Sequence, residues 1–155
     1  MFKIYLFVTL LASYSLMNAQ TMQPSSQNFQ GVFYGDLATG DINGDGTQDF
    51  LISGAKPGFT GFSQVYYSEN GEFSELTLLD FDQLLNSSVA IADIDGDGIN
   101  DILITGTNTN TDPQQTVYQI FKGTGFGVFT KLPDTGISGV NNGSIQVSDF
   151  NGDGR

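Results

Sequence analysis

Cysteine and histidine are both absent from this chain, and lysine and arginine together number five. Without cysteine no disulfide can staple the fold, so another cross-link must compensate. Without either residue the usual nitrogen and sulfur donors for zinc are missing. No serine has a plausible base beside it, and the catalytic patterns that need an imidazole or a thiolate are excluded. Five basic residues in no cluster give no electrostatic footprint for nucleic acid, and anionic membranes are disfavoured for the same reason. No strong helical periodicity suggests a bundle.

The longest apolar stretch, Ile4 to Leu16, has thirteen residues, short of the roughly 20 that a spanning helix needs. Lys3 precedes it, and Met17-Asn18-Ala19 offers a cleavage site before Gln20. Residues 1–19 are therefore expected to be a secretory signal, leaving no membrane span after cleavage and placing the protein outside the cell or on its surface. The remainder suits an all-β chain, being rich in glycine and phenylalanine.

The formal charge of −12 is concentrated. Nine of the seventeen acids are Asp41, Asp45, Asp49, Asp93, Asp95, Asp97, Asp101, Asp149 and Asp153, and they fall in three short segments. Those segments, Asp41-Ile-Asn-Gly-Asp-Gly, Asp93-Ile-Asp-Gly-Asp-Gly and Asp149-Phe-Asn-Gly-Asp-Gly, begin 52 and 56 residues apart. The similarity extends further, since Asp49 to Gly54 matches Asp101 to Gly106 and Gly71 to Leu76 matches Gly127 to Leu132. The four extra residues of the longer spacing fall between Gly106 and Gly127, as expected for a surface loop on a fixed scaffold.

Each unit resolves into four short strands divided by glycine and polar turns. First strands end at the acidic loops and set large residues at one parity (Leu37, Thr39; Val89, Ile91; Ile145, Val147) against small ones at the other, which suits the innermost strand of a radial assembly. Second strands, Phe50 to Ser53 and Ile102 to Thr105, are apolar on both faces and are expected at sheet centres. Third strands are expected at Ser63 to Ser68 and Thr116 to Lys122, and fourth strands at Glu72 to Leu79 and Val128 to Leu132. Four strands per repeat make a propeller blade. The expected organisation of residues 20–155 is one repeat over about 29–80, a second over about 81–136 and the start of a third over about 137–155, with further repeats downstream of Arg155.

The loops carry their own chemistry. In Asp41-Ile-Asn43-Gly-Asp45-Gly46-Thr47-Gln-Asp49, side-chain oxygens recur at the first, third, fifth and ninth places, and the Thr47 carbonyl can supply the seventh. Asp93, Asp95, Asp97, Ile99 and Asp101 repeat the pattern, and Asp149, Asn151 and Asp153 begin it again. Calcium takes six to eight oxygen ligands, so five protein groups with water meet its demand. Gly46 and Gly98 stand where the chain must turn sharply. An EF-hand would need an acid at the twelfth place between two helices, but Ile52 and Ile104 stand there, each inside an expected strand. Simple turn chemistry accounts for one such segment, though poorly for three in register. By ligand charge alone the second loop, with Asp95 where the first has Asn43, should bind calcium more tightly.

With these loops, each followed by an apolar strand, and with Gly54-Ala55-Lys56-Pro57, the repeats from about residue 29 onward resemble the FG-GAP or VCBS repeats of integrin-α-like propellers. The second unit departs from that pattern with Gly106-Thr107-Asn108-Thr109, which points to the looser bacterial type. The resemblance implies calcium held between the first two strands of each blade and a non-catalytic module used for adhesion or for binding a protein or glycan. The alternative is a scaffold or targeting portion of a larger extracellular enzyme. Tyr66, Tyr67, Phe121 and Phe126 are candidate sugar-stacking rings, although packing between blades consumes such aromatics more often.

Overall fold

The computed structural model describes residues 27–76, 80–134, 136–150 and 152. The expected signal segment, 1–19, lies outside them. The described chain is all-β, and none of it forms a helix long and apolar enough to cross a membrane. Eight strands run in chain order: β1 (Phe33–Gly40), β2 (Asp49–Lys56), β3 (Thr60–Glu69), β4 (Glu72–Leu76), β5 (Leu84–Ala92), β6 (Asp101–Asn108), β7 (Gln115–Gly123) and β8 (Phe129–Lys131). They form two four-stranded antiparallel sheets, ordered β1-β2-β3-β4 and β5-β6-β7-β8, each a meander shaped like a propeller blade.

The strands lie where apolar parity and turn chemistry place them. β6 is buried along its whole length, as a central strand apolar on both faces should be. The ladders match between sheets: Gly40 pairs with Asp49 and Ala92 with Asp101, so each acidic loop closes the same end of its β-hairpin. Both first strands begin earlier than parity suggests, because each continues past a bulge, at Tyr34 and at Asn86. These equivalent residues have φ of 52° and 50°, a left-handed conformation that asparagine tolerates better than tyrosine.

The two sheets share one core, in which Leu51 and Val65 meet Leu84, Val89 and Ile104. Small residues on β1 admit large ones from β5: a Cβ added at Gly40 would lie 2.5 Å from the Ile91 side chain. Polar ties follow the same repeat. Ser88 Oγ donates to Asp36 Oδ2 (2.9 Å), which also accepts from the Val89 amide (3.2 Å). One unit on, the Ile145 amide donates to Ser88 Oγ (3.0 Å).

The third unit differs from expectation. Ile145 to Ser148 carry no strand, although they lie beside the second sheet through Ile145 and through the Asn142 amide, which donates to the Asn86 carbonyl (3.1 Å). No described strand flanks this segment to complete a ladder, and an unpaired extended segment is not a sheet. β8, with three residues, is shorter than the expected Val128 to Leu132. β4 runs over Glu72–Leu76, and its expected continuation to Leu79 lies outside the described residues.

Candidate metal centre

Each complete loop is wound around its first aspartate. The amides of Gly44 and Asp45 donate to Asp41 Oδ1 (2.7 and 3.1 Å) and that of Gly46 to Oδ2 (2.9 Å). The second loop repeats this, with Gly96 and Asp97 donating to Asp93 Oδ1 (2.7 and 3.2 Å) and Gly98 to Oδ2 (2.8 Å). Such wrapping needs backbone that only glycine adopts without strain, and Gly44, Gly46, Gly96 and Gly98 have φ between 79° and 85°.

The ninth-place acids enter from the central strands and are fully buried. Asp49 Oδ2 accepts from the Ile42 amide (2.8 Å) and Oδ1 from the Ser68 amide (2.8 Å), fastening the loop to β3. Asp101 does the same through Ile94 (2.9 Å) and Gly123 (2.8 Å). Burial pushes the Asp49 carboxyl up from the usual range, against the lowering effect of these amides.

The middle of each loop is exposed. Asp45 Oδ1 accepts from the Thr47 hydroxyl and from the Thr47 amide (2.8 Å), and the hydroxyl first, then the amide, hold its pKa below the usual carboxylate value. Asn43 Nδ2 donates to Asp45 Oδ2 (3.0 Å). In the second loop Asp95 replaces that asparagine, and Asp93, Asp95 and Asp101 each bring a carboxylate oxygen within 4.8 Å of the others. Asp97 stands outside this trio: its Oδ1 accepts from the Ile99 amide (2.9 Å) and its Oδ2 lies 3.2 Å from Lys122 Nζ. Lys122 also contacts Asp95 Oδ2, which lowers the Asp95 pKa and raises that of the lysine.

Three converging carboxylates with no nitrogen or sulfur donor among them are a hard-oxygen set, so Asp93, Asp95 and Asp101 could hold a metal ion of the calcium class. The first loop brings Asp41, Asn43, Asp45 and Asp49 to equivalent places. Of the incomplete third loop, Asp149 Oδ1 accepts from the Gly152 amide (2.6 Å), as in the other two, while Asn151 and Asp153 lie outside the described residues.

The two complete loops lie side by side. Asn100 Nδ2 donates to the Asp41 carbonyl (2.8 Å), and a cleft of about 350 Å³ between the loops is lined by Asn43, Gly44, Gly98, Ile99 and Phe126. Of the four candidate sugar-stacking rings, Tyr66 and Phe121 are buried and Tyr67 is half-buried, packing against the core. Phe126 is 95% exposed at this cleft. Two partners escaped the sequence reading, Lys122 and Asn100. Aligning the units would have exposed the first, because Lys122 stands where the other repeat has Tyr67.

No curated protein and no solved structure matches the chain. The FG-GAP-like repeat family matches residues 41–104 and again 93–155, each match starting on the first aspartate of a loop. Two matched stretches, two blades of the same topology and two loops of the same geometry agree: this chain belongs to the FG-GAP-like repeat family, whose repeats are non-catalytic modules of propeller-like fold.

Proposed function

We propose that both complete loops bind Ca²⁺ and that the protein is a calcium-stabilised, exported repeat module that contacts an extracellular protein or glycan. The observation that carries the metal reading is the convergence of Asp93, Asp95 and Asp101 on one point in a loop whose amides already orient the first carboxylate. In the first loop the ligands are Asp41, Asn43, Asp45, Asp49 and the Thr47 carbonyl. In the second they are Asp93, Asp95, Asp97, Asp101 and the Ile99 carbonyl. An ion there replaces the cross-link that a chain without cysteine lacks. Export is supported by the pattern of residues 1–19 and by the extracellular setting typical of these repeats. Ligand contact is supported by Phe126, a bare ring beside a cleft. Further blades of the same chain are supported by Leu37, which is 53% exposed, whereas its repeat equivalent Val89 is buried beneath the first sheet.

The test is thermal unfolding in calcium, in chelator and in zinc. An ion bound only by the folded state, at about ten times its dissociation constant, stabilises by about 1.4 kcal/mol per site. Extracellular sites of this chemistry bind at about 10⁻⁴ to 10⁻³ M, so millimolar calcium should raise Tm by several degrees while zinc does not. Identical melting in calcium and chelator refutes the reading.

A further inference from the structure

Asp95 gives the second loop four carboxylates where the first has three. The sheet registers decide what that extra charge meets. Phe50 pairs with Tyr66 and Ile102 with Phe121, so the next residues along β3 and β7, Tyr67 and Lys122, occupy the same place beside their loops. Tyr67 is uncharged, and its hydroxyl is engaged elsewhere, donating to the Gly127 carbonyl (3.1 Å). The Lys122 ammonium touches Asp95 Oδ2 and lies 3.2 Å from Asp97 Oδ2. Four carboxylates less one ammonium leave the second loop at −3, the charge of the first.

The ammonium therefore rests on the oxygens that a loop-bound cation must use. Lysine is suited to such a role: a point charge with three donors on a four-carbon stem that can swing clear. All three side chains are partly exposed, which leaves the ammonium free to move into water. Taking calcium as the ion of these loops, we propose that Lys122 is a tethered competitor for the second site, occupying Asp95 and Asp97 until calcium displaces it. The second site then binds more weakly than its carboxylate count dictates, and its loop keeps a cation on two of its acids when calcium is scarce. The first loop has no such substitute, because Tyr67 carries no charge. Loops of unequal acidity reach similar calcium affinity while differing in how well ordered they are without it.

Titration of the full chain with calcium chloride, followed at the ¹⁵N amides of Gly46 and Gly98, reads each site separately, since these amides donate to the first aspartate of their own loop. Lys122→Met keeps the stem and removes the charge. It should lower the dissociation constant at Gly98 roughly three- to tenfold, the size expected when calcium no longer has to break two partly exposed ion pairs, and leave Gly46 unchanged. Lys122→Arg should remain near wild type at Gly98. An unchanged Gly98 constant in Lys122→Met, with both sites responding to calcium, overturns the role of Lys122. Silence at both glycines in every variant instead overturns the calcium reading. Should Lys122→Met fail to fold, the wild-type Lys122 ε-methylene signals decide the matter: displacement makes them move with the same constant as Gly98, and signals that stay still refute it.

Discussion

Withdrawing a carboxylate from water is costly unless donors replace the water it loses, and the ninth-place aspartates show how the loops meet that cost. Asp49 receives amides from Ile42 and Ser68, and Asp101 receives them from Ile94 and Gly123, so each acid is a structural clamp before any ion arrives. The exposed fifth-place aspartates clamp only their own turn. The two kinds of acid should separate in mutants. Asp49→Ala leaves two buried amides without an acceptor and is expected to cost about 3 kcal/mol even in chelator. Asp45→Ala should cost far less than Asp49→Ala in chelator yet abolish most of the calcium-induced gain of the first site. Urea unfolding with and without calcium measures both. Tyr67 adds a pH dependence. Burial first, and the nearby Asp49 charge second, push its phenol up to about 12 from the ordinary value of 10. The folded state thus favours the neutral phenol. Its stabilising contribution is whole below pH 10 and is lost as pH rises toward 12. Difference absorbance between wild type and Tyr67→Phe should show one phenol ionising near pH 12, and the variant should lose less stability over that interval. The ligand spacing in these loops was legible because it is local. The clamps were not: Ser68 and Gly123 act through their backbone amides, which leave no mark on residue choice.

The strands were legible for a similar reason, since alternation, glycine turns and the 52-residue spacing are all visible along the chain. What alternation alone could not show is which small residue meets which large one. Gly40 and Ile91 are an example, belonging to different sheets and brought together only when β5 packs on β1. Gly40→Ala should drive its new methyl into Ile91 and cost roughly 1–3 kcal/mol. Ile91→Ala should itself destabilise by opening space, and the double variant should be less destabilised than the two changes summed. A double-mutant cycle in urea checks the sign of that coupling. The missing strand at Ile145 to Ser148 has the opposite lesson. Parity marked it as strand, but ladder hydrogen bonds come from a neighbour, and no described strand stands beside it.

The shared core of Leu51, Val65, Leu84, Val89 and Ile104 makes the two sheets one packed body. Calcium at either loop should therefore shift a single unfolding transition, seen alike by backbone and aromatic signals, and not a separate one for each repeat. That coupling was only half legible. The repeat announced stacking units, but the polar seam between them runs through Asp36, one acid among those outside the loops, and through Ser88, which nothing in the sequence distinguishes. That seam also has a direction. The side chain at this place in each unit accepts from a backbone amide one position further along in the next: Asp36 from Val89, and Ser88 from Ile145. One flank of a unit therefore offers an accepting side chain and the other an amide donor, and two like flanks cannot satisfy one another. An array joined along this seam runs head to tail, and its interfaces are heterologous. It closes as a ring when the turn per unit divides the circle, and otherwise winds on as an open helix.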